Sequence, residues 1–446
     1  MSSPGKSAPA SPAQSLRGRF AWGIVGNAAY AFCQWATLAV IARFGGARLV
    51  GDFALALAIT GPVIMGTNLQ LATVLATSGS GPGRAPFRDY LRLRLAACVA
   101  AIALITVIAV ALGLHTIAAL LAAITAAKLI ESLSDICSGL LQREHRMDRV
   151  AWSQMARGLA SVAAVAITLA AGGTLAQSMI VLGLAWAAVL FTWDLPGARH
   201  SDTDRDAAPV HGATDPGHLR DLIRLGLPLG ISATIVSLGT NVPRVLVERQ
   251  LGVVVLGVYA ALTYFIVAGR LVAIPIASAV APLLGTSLSS GDYPAFRRHL
   301  ALLLGMGVGL GTLGIAFALL LGPTVLRVAY GPEFAPYGPD LVVLMVAAAL
   351  GYLAWYLQVA ATALRATRGQ LIVVGLALLV TTAGTIVLVP RYGLAGACTA
   401  VVLGAMTELT GSALLVRMSF IAWVRHPDRA PAPPLILPAQ DTGASA

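Results

Sequence analysis

Charged side chains at short spacings stand inside a stretch of the chain that is otherwise apolar. Lys128, Glu131 and Asp135 follow one another at intervals of three and four residues, so a helix would place them on one face and let Lys128 pair with a carboxylate. The ammonium group can also bind an anion, and a carboxylate can bind a proton, Na⁺ or a cationic substrate. An internal ion pair and a ligand-binding face are therefore both open interpretations.

Two arginines in apolar segments allow the same two interpretations, an ion pair or a ligand-binding residue. Arg244 has Glu248 one helical turn away, and Arg157 has acidic residues only on other predicted helices. Both arginines could serve in ion pairs or in binding a substrate. A charge left facing lipid would cost about 2.5–3.5 kcal/mol, so both side chains are expected to point into the protein.

Arg270 differs because no acidic residue lies within one helical turn of it. It is the best single candidate for binding an anionic ligand, and a cross-helix pair with Glu408 or Asp135 is the alternative. Carboxylates inside the apolar segments are the candidates for binding a coupling ion. They are Glu131, Asp135, Glu248 and Glu408.

Uncharged polar and aromatic side chains also form helical stripes. One stripe consists of Asn27, Tyr30, Gln34 and Thr37, and another of Ser237, Thr240, Asn241, Arg244 and Glu248. Polar stripes on membrane helices face the bundle interior or a water-filled cavity, so both are predicted to line one lumen. The stripe of Tyr352, Trp355 and Tyr356 could stack on sugar rings, although packing against a neighbouring helix is the favoured interpretation.

The composition requires most of the surface to face lipid. Of the 446 residues 57% are hydrophobic and only 11% are charged, against roughly 25% charged in average chains, and the mean hydropathy is +0.82. A net charge of +11 would suggest nucleic acid as a partner of a soluble protein, but basic cytoplasmic loops explain it better here. Cys33, Cys98, Cys137 and Cys398 are interpreted as packing residues.

Apolar runs of about 20 residues, the length that crosses the hydrocarbon core as a helix, occur about twelve times. They cover residues 20–43, 49–77, 91–113, 115–140, 150–171, 174–195, 222–250, 254–284, 298–322, 338–364, 370–390 and 393–416. The predicted fold is an all-α polytopic membrane protein with about twelve transmembrane helices.

Loop charges predict the orientation. Twenty-one of the 30 lysines and arginines fall on the side of the N-terminus, and six fall on the opposite side. Because cytoplasmic loops are enriched in these residues, both termini are predicted to be cytoplasmic. The chain then divides into a disordered tail (1–19), an N-lobe (20–195), a cytoplasmic linker (196–221), a C-lobe (222–416) and a cytoplasmic tail (417–446).

An internal repeat relates the two lobes. The pattern R-x-x-G-x-x-x-x-G-x-[FY]-A occurs from Arg43 to Ala54 and again from Arg249 to Ala260, at an offset of 206 residues. A weaker match aligns the segments beginning at Gly172 and Gly393. Two six-helix lobes with parallel pseudo-symmetry are predicted, and transporters built this way bind substrate between the halves.

Motifs for catalysis were not found. The sequence has no Walker A pattern, no metal-spaced His or Cys cluster and no G-x-S-x-G elbow. We therefore expect no enzymatic activity, no cofactor and no metal site.

Several short motifs resemble the polysaccharide-flippase branch of the multidrug/oligosaccharidyl-lipid/polysaccharide (MOP) exporter superfamily. They are Asn241-Val242-Pro243-Arg244 with Glu248 and Gly252, the segment from Ala42 to Phe53, Tyr330-Gly331-Pro332-Glu333-Phe334, Ala363-Leu364-Arg365, and Tyr392-Gly393-Leu394-Ala395-Gly396-Ala397. The resemblance extends over residues 17–416, and its motifs identify the superfamily better than the substrate.

The resemblance implies a rocker-switch flippase or exporter. Its substrate would be a lipid-linked oligosaccharide, of the undecaprenyl-diphosphate type, destined for surface polysaccharide such as the O-antigen of lipopolysaccharide. The protein would reside in the bacterial inner membrane, with membrane lipid and the glycosyltransferases and polymerase of the pathway as candidate partners. Family members use lumenal cations for the headgroup, and Arg244 is the motif position that carries this role over. The alternative is a multidrug or cation antiporter of the MATE type, which needs a membrane-embedded carboxylate.

Overall fold

The structure, a computed structural model, describes residues 16–78, 85–201 and 216–425. These residues are almost entirely helical and form no strand, which confirms the all-α polytopic membrane fold. The helices are α1 (Leu16–Thr67), α2 (Leu71–Thr77), α3 (Phe87–Ala111), α4 (Ala118–Arg143), α5 (Met147–Ala170), α6 (Leu175–Val189), α7 (Leu195–Ser201), α8 (Pro216–Leu251), α9 (Val253–Ser289), α10 (Tyr293–Ala329), α11 (Gly338–Ala363) and α12 (Thr367–Arg425).

Ten helices of the described ranges are long and apolar enough to cross a membrane. Two of them, α1 and α12, each consist of two helices joined at a non-helical glycine, Gly46 (φ 62°, ψ −166°) and Gly393 (φ 58°, ψ −135°). A left-handed φ costs a residue with a Cβ atom roughly 1–2 kcal/mol, which explains glycine at both positions. With α1 and α12 each divided there, the helices correspond to the twelve predicted spans.

Some boundaries differ from those predicted. The second span was expected to reach residue 77, but α1 ends at Thr67, and Leu69 and Gln70 adopt left-handed φ values of 50° before α2 begins. Helix α8 begins within the predicted linker, and α12 continues to Arg425, beyond the predicted end at 416. The remainder of the linker (202–215) and most of both predicted tails (1–15 and 426–446) lie outside the described residues.

The two copies of the repeated glycine motif pack against each other. A Cβ atom on Gly51 would overlap the Val253 carbonyl oxygen, and a Cβ on Gly257 would overlap the Ala47 carbonyl oxygen. Small residues allow membrane helices to approach to backbone contact. The second glycine of each motif copy is therefore needed for the contact with the other copy.

The chain forms two compact units. The first contains the described residues up to Ala261 together with Ala329–Glu333, and the second contains Leu262–Val328 and the chain from Phe334 onwards. Helix α8, which the sequence assigns to the C-lobe, thus belongs to the first unit. Its contact with α1 is extensive, which accounts for this membership.

In the second unit, aromatic side chains hold the ends of α10 and α12 together. Phe420 stacks on Phe296 with the ring centroids 5.2 Å apart and meets Tyr293 edge-on at 5.8 Å. The Arg297 guanidinium lies 5.3 Å from the centre of the same ring. These contacts join the first turns of α10 to the last turns of α12.

Candidate functional site

The charged face of α4 is the centre of a polar cluster in the first unit. Lys128 Nζ lies 2.7 Å from Glu131 Oε2, as their spacing on the helix predicts, and both side chains are partly exposed. Asp135 lies one turn further along α4, and its side chain is 51% exposed. The face therefore combines a closed ion pair with an accessible carboxylate.

Two neighbouring helices complete the cluster. Tyr30 of α1 donates a hydrogen bond of 2.5 Å to Glu131 Oε1, so Glu131 is bound by a phenol and an ammonium group. The guanidinium of Arg157 on α5 lies 3.8 Å from Asp135 Oδ1 and 5.8 Å from the centre of the Tyr30 ring. Arg157 is thus paired with an acidic residue of a neighbouring helix, one of the two interpretations that the sequence left open.

Trp186 of α6 supports the cluster from the other side. Its indole N–H donates to Ser161 Oγ at 2.9 Å and to the Arg157 carbonyl oxygen at 3.1 Å. Lys128 Nζ lies 5.8 Å from the centre of its ring. The cation of α4 and the backbone of α5 are therefore held by one side chain, which fixes the relative positions of three helices.

Asp194 is a buried acidic residue that the sequence analysis missed. It ends the π-helical segment Leu190–Asp194 that follows α6. Its carboxylate is buried beside the hydroxyl groups of Ser134 and Ser153 and within electrostatic range of Arg157. The available signal was an isolated acid at the end of a predicted span, and it was overlooked because the adjoining linker is rich in acids.

Arg94 also has a role that its sequence position does not indicate. Arg94 is one of the 21 lysines and arginines that the loop-charge argument assigns to the side of the N-terminus, but its side chain is buried, and NH1 donates to the Asn68 carbonyl oxygen at 3.2 Å. Ser132 of α4 donates to the side-chain oxygen of the same asparagine at 2.7 Å. Arg94 of α3 therefore holds the residue after α1 against α3, and Ser132 holds the same residue against α4.

The predicted stripe on α1 is partly occupied by contacts within the protein. Asn27 accepts a hydrogen bond of 3.0 Å from Gln154 of α5, and Thr37 bonds to the Cys33 carbonyl oxygen of its own helix. The Gln34 amide nitrogen is buried and makes no hydrogen bond to a described residue. Gln34 keeps a donor available on this stripe.

The stripe on α8 begins next to α1. Asn241 donates to the Ser237 carbonyl oxygen at 2.9 Å and accepts a hydrogen bond of 3.3 Å from Arg244. Glu248 lies one turn beyond Arg244 and is partly buried. Asn241 also borders a cavity of about 510 Å³ among α1, α3 and α8, whose walls are almost entirely apolar.

The second unit contains its own polar cluster. Gln358 of α11 donates a hydrogen bond of 2.6 Å to Glu408 of α12. Arg270 of α9 is exposed and lies within electrostatic range of Glu408 and of Tyr352. No described carboxylate comes within 4 Å of its guanidinium, so Arg270 faces an open surface with a carboxylate at a distance.

The aromatic stripe of α11 is mostly engaged in packing. Tyr352 is buried and donates to the Ile266 carbonyl oxygen at 3.0 Å, and Tyr356 is buried against Gly307 of α10. Trp355 is 43% exposed. Packing is the interpretation that the sequence favoured, and of the three rings Trp355 has the free surface that stacking would need.

Groups of three or more His, Cys, Asp or Glu side chains that could hold a metal ion do not occur in ranges 16–78, 85–201 and 216–425. The four cysteines are reduced and buried. The charged and polar side chains of the two clusters can bind ions and polar groups reversibly inside an apolar bundle.

The fold is similar to that of solved transporters. An inward-facing structure of a multidrug resistance MATE family transporter of the MOP superfamily superposes with a TM-score of 0.63 at 14% identity and covers 94% of this chain and 97% of that one. An outward-facing structure gives 0.61 at 16% identity, covering 91% and 95%. At these identities the likeness concerns the fold alone.

Sequence comparison narrows the family. The capsular polysaccharide biosynthesis protein CapF of Staphylococcus aureus is 22% identical over 330 residues, which cover 73% of this chain and 80% of that protein. Residues 19–287 match the sequence model of the family described as polysaccharide biosynthesis protein. This match spans more than half of the 446 residues, and the chain therefore belongs to the polysaccharide biosynthesis protein family.

Proposed function

We propose that this protein is a flippase that moves lipid-linked oligosaccharide from the cytoplasmic to the outer leaflet of a bacterial inner membrane by alternating access. It would act in surface polysaccharide synthesis as a transporter and not as an enzyme. The predicted orientation, with cytoplasmic termini, and the two-lobed arrangement belong to the same proposal.

The observation that carries the proposal is the charged cluster inside an apolar bundle. Lys128, Glu131, Asp135 and Arg157 come from two helices and meet at a face on which Asp135 remains accessible. Placing four charged side chains inside an apolar bundle costs free energy. A protein that only anchored another molecule to the membrane would not need them. Membership of the polysaccharide biosynthesis family supports a glycan headgroup as the ligand of this charged cluster.

An amphiphilic substrate also fits the apolar cavity beside Asn241. A diphosphate with sugars cannot cross hydrocarbon unaided, whereas its isoprenoid chain stays there. The cavity among α1, α3 and α8 has apolar walls and one amide at its edge, which suits the isoprenoid portion next to a polar headgroup. In the second unit, the exposed Arg270 is proposed, independently of this cavity, as a residue that binds an anionic group.

A MATE-type antiporter is the second candidate. The observation in its favour is the accessible carboxylate of Asp135 next to Glu131, since a carboxylate within the membrane can couple transport to protons or Na⁺ and can attract cations.

Deletion of the gene tests both candidates. For the flippase we expect surface polysaccharide to disappear and lipid-linked glycan to accumulate on the cytoplasmic leaflet, where a membrane-impermeant glycosidase added to inverted vesicles would cleave it. A plasmid copy of the wild-type gene is expected to restore export. Normal surface glycan with increased sensitivity to cationic dyes would reject the flippase and support the antiporter.

A further inference from the structure

Residues 329–333, in the connection between α10 and α11, belong to the first unit. Tyr330 in this connection is buried, and its hydroxyl group donates to the Ala261 carbonyl oxygen at 3.3 Å. Its ring meets Trp35 of α1 edge-on, with the centroids 6.4 Å apart. Two anchoring contacts thus hold the segment 329–333 against α1 and the start of α9.

Glu333 at the end of this segment binds the break in α1. Its Oε1 atom accepts a hydrogen bond of 2.8 Å from the backbone N–H of Ala47. Ala47 is the first residue after the non-helical Gly46, so its N–H has no partner within the helix and lies at the positive end of the helix dipole. A Cβ atom on Gly46 would come within 2.7 Å of the same carboxylate oxygen, so the glycine also makes room for Glu333.

The peptide that Glu333 binds takes part in the contact between the two motif copies. The carbonyl oxygen of Ala47 lies against Gly257, and Gly51 lies against the carbonyl oxygen of Val253. One residue, Ala47, therefore bonds to Glu333 through its N–H and packs on the second motif copy through its C=O. Moving the start of this helix would disturb both contacts together.

We propose that Glu333 is a latch that keeps the two motif copies interlocked. While its carboxylate holds the Ala47 N–H, the Ala47–Gly51 and Val253–Gly257 segments, which lie at the outer end in the predicted orientation, stay in contact. Opening requires the carboxylate to leave Ala47 so that the Ala47–Gly51 and Val253–Gly257 segments can separate. That this separation releases substrate rests on the proposed function. The Glu333–Ala47 hydrogen bond itself requires no substrate.

Pulsed electron resonance on the full-length protein in lipid nanodiscs tests the latch. Nitroxide labels on Phe44→Cys and Val254→Cys report the separation of the two segments, because both side chains are exposed and the four native cysteines are buried. Hydrogen bonds to charged groups contribute about 1.5–3 kcal/mol, which is at least a tenfold effect on an equilibrium. We therefore expect Glu333→Ala to increase the ratio of separated to closed molecules about tenfold or more.

A second variant removes the donor of the same hydrogen bond instead of the acceptor. Ala47→Pro lacks the N–H, and proline is well tolerated at the first position of a helix, so it should reproduce the effect of Glu333→Ala. Glu333→Gln keeps an acceptor oxygen and should remain mostly closed. Glu144→Ala, which removes an exposed carboxylate paired with Arg143, is the matched control and should leave the distances unchanged.

The experiments distinguish failure of the Glu333 latch from failure of the flippase proposal. Distance distributions of Glu333→Ala and Ala47→Pro that coincide with that of the unsubstituted labelled protein would overturn the latch, whatever the substrate is. A shift in both variants together with normal surface polysaccharide in a deletion strain would uphold the latch and overturn the flippase. Elution of each variant as a single species on gel filtration shows that the labelled protein is folded, and either variant alone can decide the result.

Discussion

Arg157 is almost fully buried, at 3% exposure, yet it lies 3.8 Å from the carboxylate of Asp135, which is 51% exposed. The pair therefore connects an open polar face to the interior between α4 and α5. A cation or a proton that reaches Asp135 would change the charge balance around Arg157 without entering the core. Binding of a cation or a proton at Asp135 would therefore alter the electrostatic environment of the buried contact between α4 and α5.

Removal of Arg157 should lower the stability of the folded protein. Arg157→Ala leaves Asp194 buried without its neighbouring cation, and we expect a loss of about 1–3 kcal/mol, because Asp194 is fully buried whereas Asp135 is about half exposed. Arg157→Lys should recover only part of this, since an ammonium group cannot match the planar fork. Thermal unfolding in detergent measures the change, with Arg146→Ala as the exposed control. Equal stability of Arg157→Ala and wild type would show that the pair is dispensable.

The Lys128–Glu131 pair should behave as a coupled unit. Lys128→Met leaves Glu131 with the Tyr30 hydroxyl as its donor, and Glu131→Gln leaves Lys128 over the Trp186 ring. We expect the double variant to lose about 1 kcal/mol less than the sum of the single losses, as contacting residues usually do. A double-mutant cycle on denaturant unfolding gives this number. Strict additivity would mean that the two charges act independently.

Arg270 should be essential for export and unimportant for folding. Arg270→Glu places a carboxylate within electrostatic range of Glu408 and would repel an anionic headgroup, so surface polysaccharide is expected to be lost while membrane insertion stays normal. Arg270→Lys should retain part of the activity. The control is Arg368→Glu at an exposed position in the first turn of α12. Full complementation by Arg270→Glu would remove Arg270 from the site.

Alanine at Gly46 should destabilise the fold, whereas alanine at Gly239 should not. Gly46 combines a φ of 62° with the close approach of Glu333, and a Cβ atom there costs roughly 1–2 kcal/mol in backbone strain alone. Gly239 lies in α8 with no neighbouring atom within 4 Å of an added Cβ, and alanine favours a helix by about 1 kcal/mol over glycine. Melting temperatures of the two variants should therefore move in opposite directions.

Features set by local spacing could be predicted from the sequence. Apolar run lengths located the helices, and the interval of three residues between Lys128 and Glu131 anticipated their ion pair. The repeat itself was visible in the sequence, and the structure adds the reason for the second glycine of each copy, because no side chain other than hydrogen leaves room for the carbonyl groups of Ala47 and Val253.

Features that depend on contacts between distant segments could not be predicted. The partner of Arg157 lies 22 positions away on another helix, and the bond from Glu333 to Ala47 spans 286 positions. Arg94 and Asp194 sit near predicted loops, and only tertiary packing shows that both are buried. The assignment of Arg270 and the lumen residues to substrate binding stays a prediction that the experiments above address.

The length of the helices in the second unit bears on the membranes in which the protein can work. Helices α9 and α10 contain 37 residues each, or about 55 Å at 1.5 Å per residue, whereas the hydrocarbon core is about 30 Å thick. A typical tilt of about 20° shortens the projected length by only a few ångströms. The surplus must extend beyond the hydrocarbon core, and the Phe420 ring packs on the first turn of α10 at one end of that helix. A bilayer thicker or thinner by several ångströms would then shift its boundary along the helices without exposing a helix end to hydrocarbon.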